Sequence, residues 1–153
     1  MRTTLAAIVL VLVLAPMAAA KKAAPLVPVQ QQTQMKQILE SFGFGDLEYI
    51  PTAAPPHYIY SSNVVNTTSN LITLADGSSY AYFSVQYFKA GLGSCSKTSQ
   101  VKLTINGVTI YSKGADVWSC LKSPRGKVVK VTGKGDGLSR EDLGTMVASA
   151  KYA

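Results

Sequence analysis

The chain has 153 residues, 47% of them hydrophobic, with 15 Lys and Arg against 8 Asp and Glu for a net charge of +7. That length suits one domain with one modest core. A single histidine and two cysteines leave too few soft ligands for an imidazole- or thiolate-based metal centre.

Residues 1–20 carry the three parts of a secretory signal peptide: Arg2, the apolar run from Leu5 to Ala15, and the small-residue exit Ala18-Ala19-Ala20. A spanning helix takes about 20 apolar residues, and Pro16 followed by Lys21-Lys22 cuts this run short. Cleavage is expected after Ala20, and no cysteine near that point could carry a lipid anchor. The mature chain is therefore expected to be exported, soluble and not membrane-spanning, in the periplasm or outside the cell. It loses only Arg2 among the cations and keeps a net charge of about +6.

Residues 21–32 combine prolines with a glutamine run and show no period, which predicts a flexible tether ahead of a single domain over 33–153. Met35, Ile38, Leu39 and Phe42 fall at helical spacing, with Thr33 as cap and Gly43 as stop, predicting a short core-facing helix over 33–42. Pro51, Pro55 and Pro56 make the next stretch a stiff, non-helical crossing.

From Tyr58 the period is two. Strands are predicted over 58–65, 70–75 and 80–88, the last two flanking a four-residue loop, Asp76-Gly77-Ser78-Ser79. Strands over 101–105 and 108–112 flank Asn106-Gly107, a pair that tolerates the positive φ of a type I′ turn. Residues 116–121 and 127–132 form a further pair through Ser123-Pro124-Arg125-Gly126. The glycines of 133–137 are expected to break the sheet. Ser139 then caps a helix whose start carries Glu141 and Asp142, whose buried stripe is Leu143, Met146, Val147 and Ala150, and whose end carries Lys151. The fold class is α+β: an antiparallel meander of six or seven strands packed by a short N-terminal and a C-terminal helix.

Cys95 and Cys120 stand twenty-five positions apart, unlike a redox C-x-x-C pair, and in an oxidising compartment they read as one structural disulfide pinning a loop to the sheet. Lys122, Arg125, Lys127, Lys130 and Lys134 are the densest basic stretch, read as a solvated sheet face or as a patch for an anionic surface. Only Arg125 and Arg140 follow the leader, which argues against nucleic acid as a partner. On the strand over 80–88, Tyr80, Tyr82 and Phe88 point away from Ala81, Phe83, Val85 and Tyr87, so that face is either covered by a helix or open to a ligand or partner.

Catalytic constellations fail to assemble. His57 lies between Pro56 and Tyr58 with no G-x-S-x-G nucleophile elbow elsewhere. The glycine run lacks the spacing of a phosphate-binding loop, and the carboxylates lie on separate elements. Asn66-Thr67-Thr68 is a glycosylation sequon, meaningful only if the source is eukaryotic. No cofactor or metal is implied.

The stretches YIPTAAPPHYIY, INGVTIYSKGADVWSC and GKVVKVTGKGDGLSREDLGTMVASA together resemble the small envelope domain at the C-terminal end of RseB/MucB-type anti-sigma regulators and relatives of lipoprotein-sorting proteins. Pro51, Pro55 and Tyr58 match the lead-in of that pattern, and Gly107, Trp118, Leu143, Val147 and Ser149 match its close; His57 stands where it prefers glycine, and it has no disulfide. The resemblance implies a noncatalytic envelope module that binds a protein or a lipid-like ligand. The expectation is thus an exported binding or regulatory module. The alternatives are a secreted hydrolase or enzyme inhibitor with an unread site, or a secreted effector.

Overall fold

A computed structural model of the chain describes residues 25–153; the expected signal peptide and the first residues of the expected tether lie outside them. The described chain is α+β. Helix α1 (Val29–Phe42) leads through a 3-10 turn (Gly45–Leu47) and strand β1 (Tyr49–Pro51) into the sheet strands β2 (Ile59–Val65), β3 (Ser69–Asp76), β4 (Ser79–Tyr87), β5 (Val101–Ile105), β6 (Val108–Lys113), β7 (Asp116–Lys122) and β8 (Val128–Gly135). Helix α2 (Arg140–Ala148) and strand β9 (Ala150–Tyr152) close the chain. The seven-stranded sheet is antiparallel in the order β2-β3-β4-β8-β7-β6-β5, and β1 pairs with β9 in a sheet of two.

Alternation along β4 sets the layers, because successive side chains leave a strand on opposite faces. Ala81, Phe83 and Val85 are wholly buried, and register places Ile72, Phe83, Gly133, Val117 and Ser112 side by side across five strands. Both helices cover this inner face, α2 over β6, β7 and β8 and α1 towards β2. Met35 and Leu39 from α1, and Leu143, Met146 and Val147 from α2, complete the core. Burying each such side chain stabilises the fold by about 1.5–3 kcal/mol.

The segment from Pro25 is not a tether: Val27 is buried, its N–H donates to the Thr52 carbonyl at 3.0 Å, and the Ala54 N–H donates to the Pro25 carbonyl at 3.1 Å. Helix α1 begins at Val29, behind Pro28, and Thr33 lies within it, its hydroxyl donating back to the Val29 carbonyl. The glutamine run is good helix-forming sequence, but its first turn is largely exposed and so shows no hydrophobic period. Gly43 ends the helix at a φ of 65°, with its N–H on the Leu39 carbonyl. Phe42, placed in the buried stripe by its spacing, is exposed instead.

Two further boundaries move. The hairpin between β3 and β4 has a two-residue loop, since Asp76 pairs with Ser79. The C-terminal helix stops at Ala148, so Ala150 and Lys151 lie on β9 rather than on the helix. Ser149 ends the helix: its hydroxyl donates to the Met146 carbonyl at 2.7 Å and accepts from the N–H groups of Thr52 and Ala53. Ser139 caps α2 as its sequence context predicts, accepting from the Asp142 N–H at 3.0 Å.

The glycines after residue 132 do not break the sheet. Gly133 and Gly135 are inside β8, opposite Phe83 and Ala81. A Cβ on Gly133 would meet Val147 Cγ2 at 3.0 Å, the Leu143 carbonyl oxygen at 3.2 Å and Met146 Cε at 3.2 Å. Glycine is what lets α2 lie this close to the strand. Gly133→Ala should therefore cost about 1–3 kcal/mol through overpacking, read from urea unfolding. Gly91→Ala, where a Cβ meets nothing within 4 Å, should stay within about 0.5 kcal/mol of the parent.

Candidate functional site

The helices cover one face of the sheet; the other face divides into a covered and an open half. On the covered half, Trp118 projects outward from β7, yet it is only 3% exposed. The loop over 88–100 folds across it, with the indole Nε1–H donating to the Cys95 carbonyl at 3.1 Å. The Cys95–Cys120 disulfide joins that loop to β7, with a Cα separation of 6.1 Å. Tyr111 packs beside the indole with ring centroids 6.2 Å apart, and Lys130 Nζ lies 4.7 Å from the Trp118 ring centroid. A small second core results, built from one large aromatic ring and the loop that shields it.

The open half spans β2, β3 and β4. Tyr80 is 46% and Tyr82 39% exposed, and their rings stack with centroids 6.4 Å apart at 22°. Ile59 and Val64 on β2 are each 58% exposed, with Leu71 of β3 between Val64 and Ser84. A register shift between Tyr60 and Ser62 keeps Ile59 and Val64 on this same face despite their odd spacing. A bulge of this kind inserts one unpaired residue and restores the alternation. No helix lies over these residues among the described elements.

Phe88 does not join Tyr80 and Tyr82. Strand β4 ends at Tyr87, and the Phe88 N–H donates to the Val128 carbonyl at 3.0 Å. The residue lines a separate cleft of about 340 Å³ with Lys89, Gly91 and Lys127. At about 3.3 Å per residue it stands at the far end of the strand from Tyr80.

The basic stretch is also divided. Alternation from Trp118 and Cys120 places Lys122, Lys130 and Lys134 on the outer face, Lys134 directly beside Tyr82. Lys134 pairs with Asp116 at 2.9 Å. Arg125 folds the other way, its guanidinium filling the space beside Gly45, and Lys127 Nζ lies 5.2 Å from the Tyr87 ring centroid. Two lysines that sequence order separates from this stretch join the outer face instead: Lys102, opposite Tyr111, and Lys113, opposite Asp116. The Asn106-Gly107 turn holds the signal for Lys102, since a two-residue loop pairs Ile105 with Val108 and thereby Lys102 with Tyr111.

A polar cluster at the end of β7 is the other concentration of reactive side chains. Asp46 is buried, and the Ser123 hydroxyl donates to its Oδ1 while accepting from the Lys127 N–H at 3.1 Å. Glu48 Oε1 accepts from the Gly45 N–H at 2.8 Å, and Tyr49 meets Tyr152 edge-on at 5.3 Å. His57 sits in an exposed turn at a φ of 70°. The cluster fastens the 3-10 turn to the β7–β8 connection. Among the described residues, no group of three or more His, Cys, Asp or Glu could hold a metal ion, and no helix is long and apolar enough to cross a membrane.

Burial pushes the Tyr49 phenol up, with Tyr152 and Asp46 adding to the effect. Burial also raises Tyr60, and raises Tyr152 with help from Glu48, partly opposed by Arg125. The unfolded chain releases these protons near pH 10, before the folded one does. Stability from these groups is therefore complete below about pH 10 and falls as pH rises through the folded values. In a spectrophotometric titration Tyr49→Phe should remove a late-ionising phenol and flatten this alkaline loss. Reducing the disulfide should lower stability by about 2–4 kcal/mol and shift Trp118 emission to the red as the loop leaves the indole.

No protein-family model matches this chain, and no curated protein matches it.

Proposed function

We propose that this protein is an exported, noncatalytic binding module of the cell envelope that holds its partner on the open half of its sheet. The observation that carries the reading is the Tyr80–Tyr82 pair, stacked and solvent-exposed, with the exposed Ile59 and Val64 on the same face two strands away, across Ala75 and Leu71. Large apolar and aromatic side chains left open together on one sheet face mark an interaction site, and here they alternate with Ser62, Thr73 and Ser84 of the same face. It lies on β3 and β4, paired over eight residues, so the tyrosines are presented on rigid backbone rather than on a loop. That arrangement lowers the ordering cost of binding.

Three further features favour this reading. The signal-peptide pattern of residues 1–20 and the Cys95–Cys120 bond both suit an oxidising compartment outside the cytoplasm. The reactive side chains of the Asp46–Ser123 cluster are occupied in holding two segments together. The resemblance to the small domain of RseB/MucB-type regulators implies a module that binds a protein or a lipid-like ligand, and His57 has positive φ at the place where that pattern has glycine.

The test is retention on isolated envelope fractions. The mature chain should be retained, and Tyr80→Ser/Tyr82→Ser should weaken retention at least tenfold with an unchanged circular-dichroism spectrum. Equal retention of the parent and this variant would refute the reading.

A further inference from the structure

The outer face differs from the helix side in charge as well as in cover. Among the described strand residues, Lys102, Lys113, Lys122, Lys130 and Lys134 lie on the outer face, against one carboxylate, Asp116. The elements of the opposite side reverse the balance: α1, the turn after it and α2 carry Glu40, Asp46, Glu48, Glu141 and Asp142 against Lys36 and Arg140, with Arg125 folded against that turn. The basic half and the apolar half of the outer face adjoin along the β4–β8 pair, where Tyr82 stands directly opposite Lys134. An oriented charge distribution of this kind turns one chosen face towards a negative surface before contact.

We infer that the open face docks on the surface of an anionic lipid bilayer, with Ile59, Val64, Tyr80 and Tyr82 entering the interface and the lysines meeting the headgroups. This rests on the reading of that face as the binding surface, and it names the partner. Tyrosine suits the headgroup level, where its ring is half in hydrocarbon and its hydroxyl stays wet. Ile59 and Val64 offer no hydrogen bond to a sugar or a peptide, but they gain from leaving water for acyl chains. The face is a strand surface rather than a concave pocket of the sort that encloses a small ligand.

The alternative occupants fit less well. A second copy placed face to face would set lysines against lysines with the two-fold axis across the β4–β8 boundary, which like-charge repulsion disfavours, and lysines against the apolar half with the axis along it, which costs their desolvation. Strand addition at the adjoining edge meets an obstacle at Tyr60, whose N–H is already taken by Gln31 Oε1 at 2.9 Å.

The experiment is co-sedimentation of the mature chain with vesicles of phosphatidylcholine alone, and with one third of the lipid replaced by phosphatidylglycerol. The anionic vesicles should bind at least tenfold more tightly. Each lysine near such a surface contributes about fivefold, so Lys102→Glu/Lys122→Glu should weaken binding by more than about twentyfold. Tyr80→Ser/Tyr82→Ser and, separately, Ile59→Ser/Val64→Ser should each weaken it at least tenfold, with thermal midpoints showing that every variant is folded. If only the lysine variant loses affinity, the contact is plain charge attraction and the proposal is overturned. If the chain ignores vesicles yet binds dextran sulfate or delipidated envelope protein through Tyr80 and Tyr82, the partner is not lipid, while the binding face stands. If it binds vesicles, polymer and envelope fractions no differently from the tyrosine variant, the binding face falls as well.

Discussion

Phe83 and Gly133 stand opposite each other on β4 and β8, at the centre of the sheet, and much of the molecule is arranged around their difference in size. Phe83 is wholly buried in the inner layer. Gly133 leaves the gap into which α2 settles, with its Leu143 carbonyl and the side chains of Met146 and Val147 against the strand backbone. Gly144 of α2 repeats the device on the helix, where an added Cβ would meet Ile105 Cδ1 at 2.7 Å. Close approach at both glycines holds α2 across β5 to β8 and commits that face of the sheet to the core. Every outward-pointing residue of β4 and β8 is thereby directed to the opposite side.

That opposite side could not be left bare over β7, because a projecting indole there would leave a large apolar ring in water. The loop over 88–100 covers Trp118, and two constraints of different kinds hold it: a hydrogen bond from the indole to the Cys95 carbonyl and the covalent link to Cys120. The cover ends where the loop ends. Tyr80, Tyr82, Ile59 and Val64 lie beyond it, and their exposure is the structural basis of the proposed function. The disulfide thus belongs to the architecture of the outer face, where it holds the loop over Trp118.

Residues whose environment depends on neighbours in sequence were legible in advance. Gly43 as helix stop, Ser139 as cap and Asn106-Gly107 as turn follow from backbone preferences that act over three or four residues. The strands over β2 to β8 follow from alternation, which reports a half-buried surface directly. Elements that depend on distant partners were not legible. Strand β1 looks like a proline-stiffened crossing until β9 arrives from the far end of the chain to pair with it. The glycines of β8 look like a break until α2 explains why no side chain fits there. Helix α1 begins at Val29, six residues before its hydrophobic period opens at Met35, because its first turn is held by Pro28 and by Val27 on Thr52, contacts with no local signature.

The same division applies to the site. Sequence alone determined that Tyr80 and Tyr82 share a face opposite Phe83, that Cys95 and Cys120 form a pair suited to an oxidising compartment, and that the chain is basic. Alternation, cysteine number and charge are properties of the covalent chain. Only the tertiary structure decided that the helices take the Phe83 side, that the loop stops short of the tyrosines, that β4 ends before Phe88, and that Arg125 turns elsewhere while Lys102 and Lys113 join the outer face. Those outcomes depend on strand order and register, which bring β5 to β8 into one surface through pairings between residues far apart in sequence. Local preference can state which side chains share a face of one strand, but the face that stays open is chosen by what packs against the other.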